Sequence, residues 1–509
     1  MLRAQSRHRV GMAGTDRLCA DSMAASTAAA EAAPSSNQPG ALMTTRSVTP
    51  VPGDGRGGST TGRTTSGGGD REPASGLGLL QVSPHRRSFL AAGVGLGLIA
   101  GVAACQGSTG APGRSAAPVL SAPATADGTT GTTSAGAPSA TGPEYHEPAA
   151  DNTALSAGSW SGTVGDRTVD LAGAYVVDGT QATIDGGTWE STEPDQAVFL
   201  VVNGGSLTLT NAAVTKSGDA TSSNDRGVDD AYSFYGLNSA VVVVGEDSSA
   251  TVAETTIKTT SSGSNAVVAT DSAQVSVTAC AITTTGESAR GLHATYQGTI
   301  TGSDLTIDTT GAHCAAVATD RGNGTVTVEG TNTFTTAGDG SPLIYSTGAI
   351  TVSGLTGQAT GAQAVVVEGR NQATVSGSTL TTGSTRAGVM LYQSMSGDAA
   401  DADAATEVSA LEMSDVELTC TQDVPVLYVT NTTAEATLTS CTLSTPGGLA
   451  TAEEDRWGQS GSNGGTLTLT LDDTVSDGAL TAGDTSSITV TVTNGGQATG
   501  TTSGEVSVG

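Results

Sequence analysis

Three observations in this 509-residue sequence predict an all-β fold, a single-stranded right-handed parallel β-helix of about 10–12 coils. A short phrase recurs, with Ala266-Val-Val-Ala-Thr returning as Gly291-Leu-His-Ala-Thr and again as Ala315-Ala-Val-Ala-Thr. Between the phrases apolar residues alternate, as in Val275-Ser-Val277 and Val326-Thr-Val328, which reads as short strands joined by tight turns. Aromatic residues make up only 3% of the chain, which suits a narrow interior of stacked small and branched side chains. It also disfavours a propeller, whose blades take about 40 residues and carry aromatic signatures.

The period follows from the small residue that opens each phrase. Anchors at Ala240, Ala266, Gly291, Ala315, Pro342, Ala364, Gly388 and Pro425 are separated by 26, 25, 24, 27, 22, 24 and 37 residues. Ala174 and Ala197 are weaker anchors upstream. Such spacing fits one coil of a solenoid, each coil bonding to the next about 4.8 Å along the axis. An immunoglobulin-like array needs about 100 residues per domain. Two insertions interrupt the rhythm, one ending in "NDRGVDDAYSFYGLNS" and the other holding "SMSGDAADADAAT". No amphipathic helical window of useful length is present.

Ahead of the repeats the composition changes. Residues 1–85 are rich in Gly, Ser, Thr, Ala and Arg without periodicity and read as a disordered leader. A start assigned too early would explain that leader, with Met43 an alternative start. Residues 86–105, "RRSFLAAGVGLGLIAGVAAC", resemble a bacterial twin-arginine export signal at Arg86 and Arg87. Its apolar run is short for a membrane span. Val102-Ala-Ala-Cys105 resembles a lipobox, which implies lipidation of Cys105 and an address on the outer face of the cell membrane. Residues 106–152 form a flexible Gly/Ser/Thr/Ala/Pro tether, and the β-helix takes residues 153–509.

Charge divides at the same place. From residue 152 onward nine Lys and Arg face 39 Asp and Glu, a net charge of −30, which excludes nucleic acid as a partner. Of six cysteines, Cys280, Cys314, Cys420 and Cys441 fall in the repeats without a CxxC, and read as buried free thiols.

Catalytic signatures are absent: no GxSxG, HExxH, Walker loop or GxGxxG follows a strand. The repeat region holds two histidines, His293 and His313, both read as turn or strand surface positions with no role. One column gathers the scarce aromatics, carboxylates and arginines, where the first strand of each unit ends. It comprises Asp271, Tyr296, Asp320, Arg321, Tyr345, Glu368, Arg370 and Tyr392, predicted to line one lateral groove. The first insertion, with Asp225, Arg226, Asp229, Asp230, Tyr232, Phe234 and Tyr235, either packs over the coils or meets a partner. No cofactor is indicated. Calcium is the one metal the acidic turns suit, and Asp398, Asp401 and Asp403 are its weak candidate ligands, lacking the Gly turn and final Glu of an EF-hand.

The phrases "SARGLHATYQGTI", "HCAAVATDRGNGTVTVEG" and "GDGSPLIYSTGAITVSG" resemble those of secreted bacterial right-handed parallel β-helix, adhesin-like proteins, over about residues 155–495. That resemblance implies a binding module for extracellular polysaccharide or a surface protein, and transfers no catalytic residue. The rival expectation is a polysaccharide lyase or glycoside hydrolase built on the same fold.

Overall fold

A computed structural model describes residues 145–224, 227–394 and 407–509. Among the described residues strands hold 54% and helix 1%, and they form a parallel β-solenoid of about 13 turns. Three turns, at Ala450–Ala452, Leu480–Ala482 and Thr502–Ser503, carry no anchor phrase.

Each coil contributes strands to three ladders. The first ladder holds Gln196–Val202, Val241–Val244, Val267–Thr270, Leu292–Thr295 and their successors, paired in parallel. The second holds strands such as Gln274–Thr278 and Thr299–Ser303, and the third strands such as Ala281–Thr284 and Thr306–Thr309. In two coils a single long strand, Gln372–Thr382 or Ser409–Cys420, turns the corner between second and third ladders and joins them into one sheet.

Alternation explains why these residues become strands. In Gln274–Thr278 only Val275 and Val277 are buried, and the same inward pair recurs as Val326 and Val328, then Ile350 and Val352. Stacked in register, these side chains form one core running along the axis. At the corner between second and third ladders a left-handed residue makes the turn: Asn211, Glu254, Ala279, Asp304, then Gly330 and Gly354. The next position points inward, except after Gly330, where Thr331 is exposed and Asn332 takes the inward place. Where it is polar, it accepts a hydrogen bond from the backbone of the preceding coil. Asn332 Oδ1 takes the Leu305 N–H (2.9 Å), Ser378 Oγ that of Leu355 (3.0 Å) and Thr474 Oγ1 that of Cys441 (3.0 Å). Cys280, Cys314, Cys420 and Cys441 are free and buried, as expected.

The anchors hold register in part. Ala240, Ala266, Gly291, Ala364 and Gly388 each precede a residue of one column, Val241, Val267, Leu292, Val365 and Val389. Ala315, Pro342 and Pro425 stand one place too early, because Val317, Ile344 and Leu427 occupy that column. The physical reason is that Ala316, Leu343 and Val426, all fully buried, fill the core position, while the small or Pro residue before them belongs to the turn. A slip of one residue transfers every side chain to the other face.

The first ladder differs from the others on its outer side. Its strands are buried at all four positions, as in Val241–Val244 and Val267–Thr270. Val241 and Val243 join the axial core, whereas Val242 and Val244 join a second cluster outside the sheet. Two covers produce this. At one end lie the hairpin strand Gly158–Val164, antiparallel to Arg167–Gly173, and the short helix Ala231–Tyr235 from the first insertion. Farther along, Trp457 packs over Tyr345, Met390, Tyr392 and Tyr428. Residues 145–153 lie across the first coil, where the Ala149 and Thr153 amides donate to Asp185 O and Thr183 O (both 2.9 Å).

Candidate functional site

Seven of the eight residues expected to share one groove occupy three columns of the first ladder, and Arg370 lies one place beyond them. Asp320, Glu368 and Tyr392 share the last outward strand position with Thr295. Tyr345 stands two places earlier, beside Ala318 and Val366 in the column of His293. Asp271, Tyr296 and Arg321 follow the strand, at the corner. Asp320 and Glu368 are each 1% exposed, Tyr392 2% and Tyr345 6%, so this half of the set lies beneath the covers. Asp271, Tyr296, Arg321 and Arg370 are half-buried at its edge.

The corner column is left-handed. Asn203, Gly245 and Asp271 adopt it readily, but Tyr296 (φ 45°) and Arg321 (φ 33°) carry backbone strain there. Contact with the helical cover offsets it. Tyr296 stacks on Tyr235 with centroids 5.5 Å apart and planes 7° from parallel, and the Arg321 guanidinium lies 4.0 Å from the Phe234 ring centre.

The strands beneath also grip the cover through polar bonds. His293 Nε2 bonds the Ser233 carbonyl at 2.9 Å, and Thr295 Oγ1 donates to the Phe234 carbonyl at 2.8 Å. Both carbonyls sit in a five-residue helix with too few turns to satisfy them internally. Arg290 donates to Ser233 Oγ and stands 3.8 Å from the Asp320 carboxylate. Tyr232 OH donates to Asp195 at 2.6 Å. His293 is not at the surface as expected but fully buried beneath the cover, which with the adjacent Arg290 charge holds its pKa well below the ordinary histidine value. Asp229 receives the Ala231 amide at 2.9 Å, while Asp230 makes no side-chain cap bond at its helix N-terminus.

Under the middle of the face, Glu368 Oε2 accepts hydrogen bonds from Tyr345 OH and from Tyr392 OH (2.6 Å). Burial, then the Glu368 charge, pushes the Tyr345 phenol well above its usual range. Asp320 and Glu368 stand two coils apart, about 10 Å along the axis. Both are engaged and covered, so the arrangement binds structure rather than presenting an open acid–base pair.

Beside the second cover lies an open cleft of about 440 Å³ lined by Thr385, Arg386, Tyr428, Glu453, Glu454 and Asp455. Arg386 pairs with Asp455 and lies 5.6 Å from the Tyr428 ring centre and 5.3 Å from that of Trp457. Burial raises the Asp455 pKa, but bonds from the Arg456 amide, Tyr428 and Arg386 outweigh it and leave the carboxylate below its ordinary value. Sequence reasoning missed Arg386 and Asp455, as it did Arg290. The usable signal was the scarcity of arginine in the repeats.

Among the described residues no group of three or more His, Cys, Asp or Glu is placed to hold a metal, and no helix is long and apolar enough to cross a membrane. Arg86, Arg87, Cys105, Asp225, Arg226, Asp398, Asp401 and Asp403 lie outside the described residues. No protein-family model matches the chain, and no curated protein or solved structure shows significant similarity to it.

Proposed function

We propose that this chain is an exported, lipid-anchored binding rod, adhesin-like, that holds extracellular polysaccharide. The carrying observation is the open outer side of the second ladder. There Thr183, Thr208, Thr251, Ser276, Thr301, Thr327, Thr351 and Thr374 stand in register on eight successive coils, exposed or half-exposed. Hydroxyls repeated at one strand spacing, about 4.8 Å, make many equivalent weak contacts with a long hydroxylated chain, and such contacts multiply along a polymer. Seven Thr and one Ser leave this column uncharged in a strongly acidic region, which favours neutral glycans over acidic ones. The tether and the Arg86-Arg87 to Cys105 segment support the membrane address.

The test is retention of the full chain on a panel of neutral and acidic polysaccharides, with new reducing or unsaturated ends measured alongside. Retention on neutral glycans without cleavage, lowered about tenfold by Thr301→Lys with Thr351→Lys, is the expected result. Sustained cleavage would transfer the function to the lyase or hydrolase class. Neither retention nor cleavage would leave a rod whose partner is a surface protein.

A further inference from the structure

We infer that the helical cover, residues 227–239, is released from the first ladder by proton uptake at His293. The structure places this imidazole at the centre of the cover's underside. It is fully buried, its Nε2 is spent on the Ser233 carbonyl, and its Nδ1 has no hydrogen-bond partner. With Nε2 donating to a carbonyl, the ring is neutral and Nδ1 carries the lone pair. A proton added there becomes a second buried donor with no acceptor, and turns the ring into a cation beside a cation.

Every charged or titratable neighbour bears on that outcome. From its own coil come Arg290, which reaches the same Ser233, and Tyr296 at the corner. The next coil brings Asp320, which faces Arg290 at 3.8 Å, and Arg321, whose guanidinium lies on Phe234. The preceding coil sets Val268 beside His293 and Asp271 at the corner. From the cover come Tyr232, committed to Asp195, Tyr235, stacked on Tyr296, and the Asp229 and Asp230 carboxylates at the helix N-terminus. Among the described residues no carboxylate pairs with His293, because Asp320 is engaged with Arg290 and Asp229 with the Ala231 amide. Lifting the cover exposes His293 to water, where it titrates normally. Opening is therefore coupled to binding one proton, and it bares Arg290, Thr295, Tyr296, Asp320 and Arg321 together. This device stands apart from the hydroxyl column of the second ladder and is independent of its ligand.

Amide hydrogen exchange of the full chain between pH 5 and 8, corrected for the intrinsic pH dependence of exchange, tests it. The opening constant of residues 227–239 should rise about tenfold for each pH unit below about 6.5, while amides of Thr466–Asp472 stay unchanged. His293→Gln keeps a donor for Ser233 without a titrating ring, and should flatten the dependence. Arg290→Gln relieves the neighbouring charge and should weaken the dependence without abolishing it. Exchange that is flat with pH in the unaltered chain overturns the inference, as does an unchanged slope in His293→Gln. A parallel rise at Thr466–Asp472 would mean global acid unfolding, and would overturn it equally.

Discussion

The second ladder and the first are built from the same repeat yet present opposite outsides. Along the second, an inward Val or Ile alternates with an outward Thr, and the outward side faces water. Along the first, Val242, Val268 and Met390 face outward and are as buried as the core. A solenoid's insertions therefore decide which of its faces is surface. The repeat supplies a sheet that tolerates either fate, and the cover makes one side of it a second core.

The largest effect should separate the two faces directly. Leu200 points away from the axial core but is fully buried beneath the cover, so Leu200→Ala should lower unfolding stability by about 2–5 kcal/mol. Thr301→Ala, outward on the second ladder, should stay within about 0.5 kcal/mol. Chemical denaturation of both variants checks the comparison, and equal effects would break it.

Next in size is a buried charge at the third ladder. Lys216 is fully buried, with its ammonium donating to Glu193 O (2.9 Å) and Gly218 O (2.6 Å). Burial lowers its pKa to about 8, against the raising influence of Asp195, Asp219 and Glu193. Between about pH 8 and the unfolded value of 10.5 the unfolded chain therefore holds the extra proton, and stability rises with pH. Below pH 8 the whole penalty is present. Relative to Lys216→Met, the unaltered chain should gain about 3 kcal/mol across that window. Denaturation at pH 7.5, 9 and 10.5 measures the difference, and parallel curves would refute it.

Between the covers, Glu368→Gln should cost about 1–3 kcal/mol, because one amide oxygen replaces a carboxylate receiving two phenols. The same change should bring the Tyr345 phenol down toward its ordinary range, since the Glu368 charge is a raising influence second to burial. Ultraviolet titration of the tyrosines reads this. A phenol that does not move would assign its shift to burial alone.

Much of this fold was legible and much of the site was not, for one physical reason. Val275 and Val277, or Val326 and Val328, announce a strand through local alternation, and their neighbours in space are the same residues one period away. His293, Arg290 and Ser233 meet across about 60 residues of sequence, through an insertion that follows no period. The aromatic run Tyr232, Phe234 and Tyr235 was legible as something that packs or binds, and it packs. The slip at Ala315 shows the limit of counting from small residues. Asp320 and Tyr296, both five places from their anchors, lie in different columns because Ala316 takes the core position.

The open and covered corners should differ least. Ala279 and Tyr296 both adopt left-handed backbone, φ 52° and φ 45°. Ala279 sits at the uncovered corner between second and third ladders, in line with Asp304 and Gly330. Left-handed geometry costs a residue bearing Cβ about 1–2 kcal/mol, and the added freedom of an unfolded glycine takes back about 0.4–1. Ala279→Gly should therefore stabilise the chain by about 0.5–1 kcal/mol. Tyr296→Gly relieves similar strain but removes the ring that stacks on Tyr235 and bonds its hydroxyl at 3.2 Å. Burial of that ring outweighs the relief, so this variant should be destabilised and should loosen residues 227–239 in hydrogen exchange. If both glycine variants are stabilised, the helical cover contributes nothing to holding the corner, and the contrast between open and covered faces fails where the backbone itself is strained.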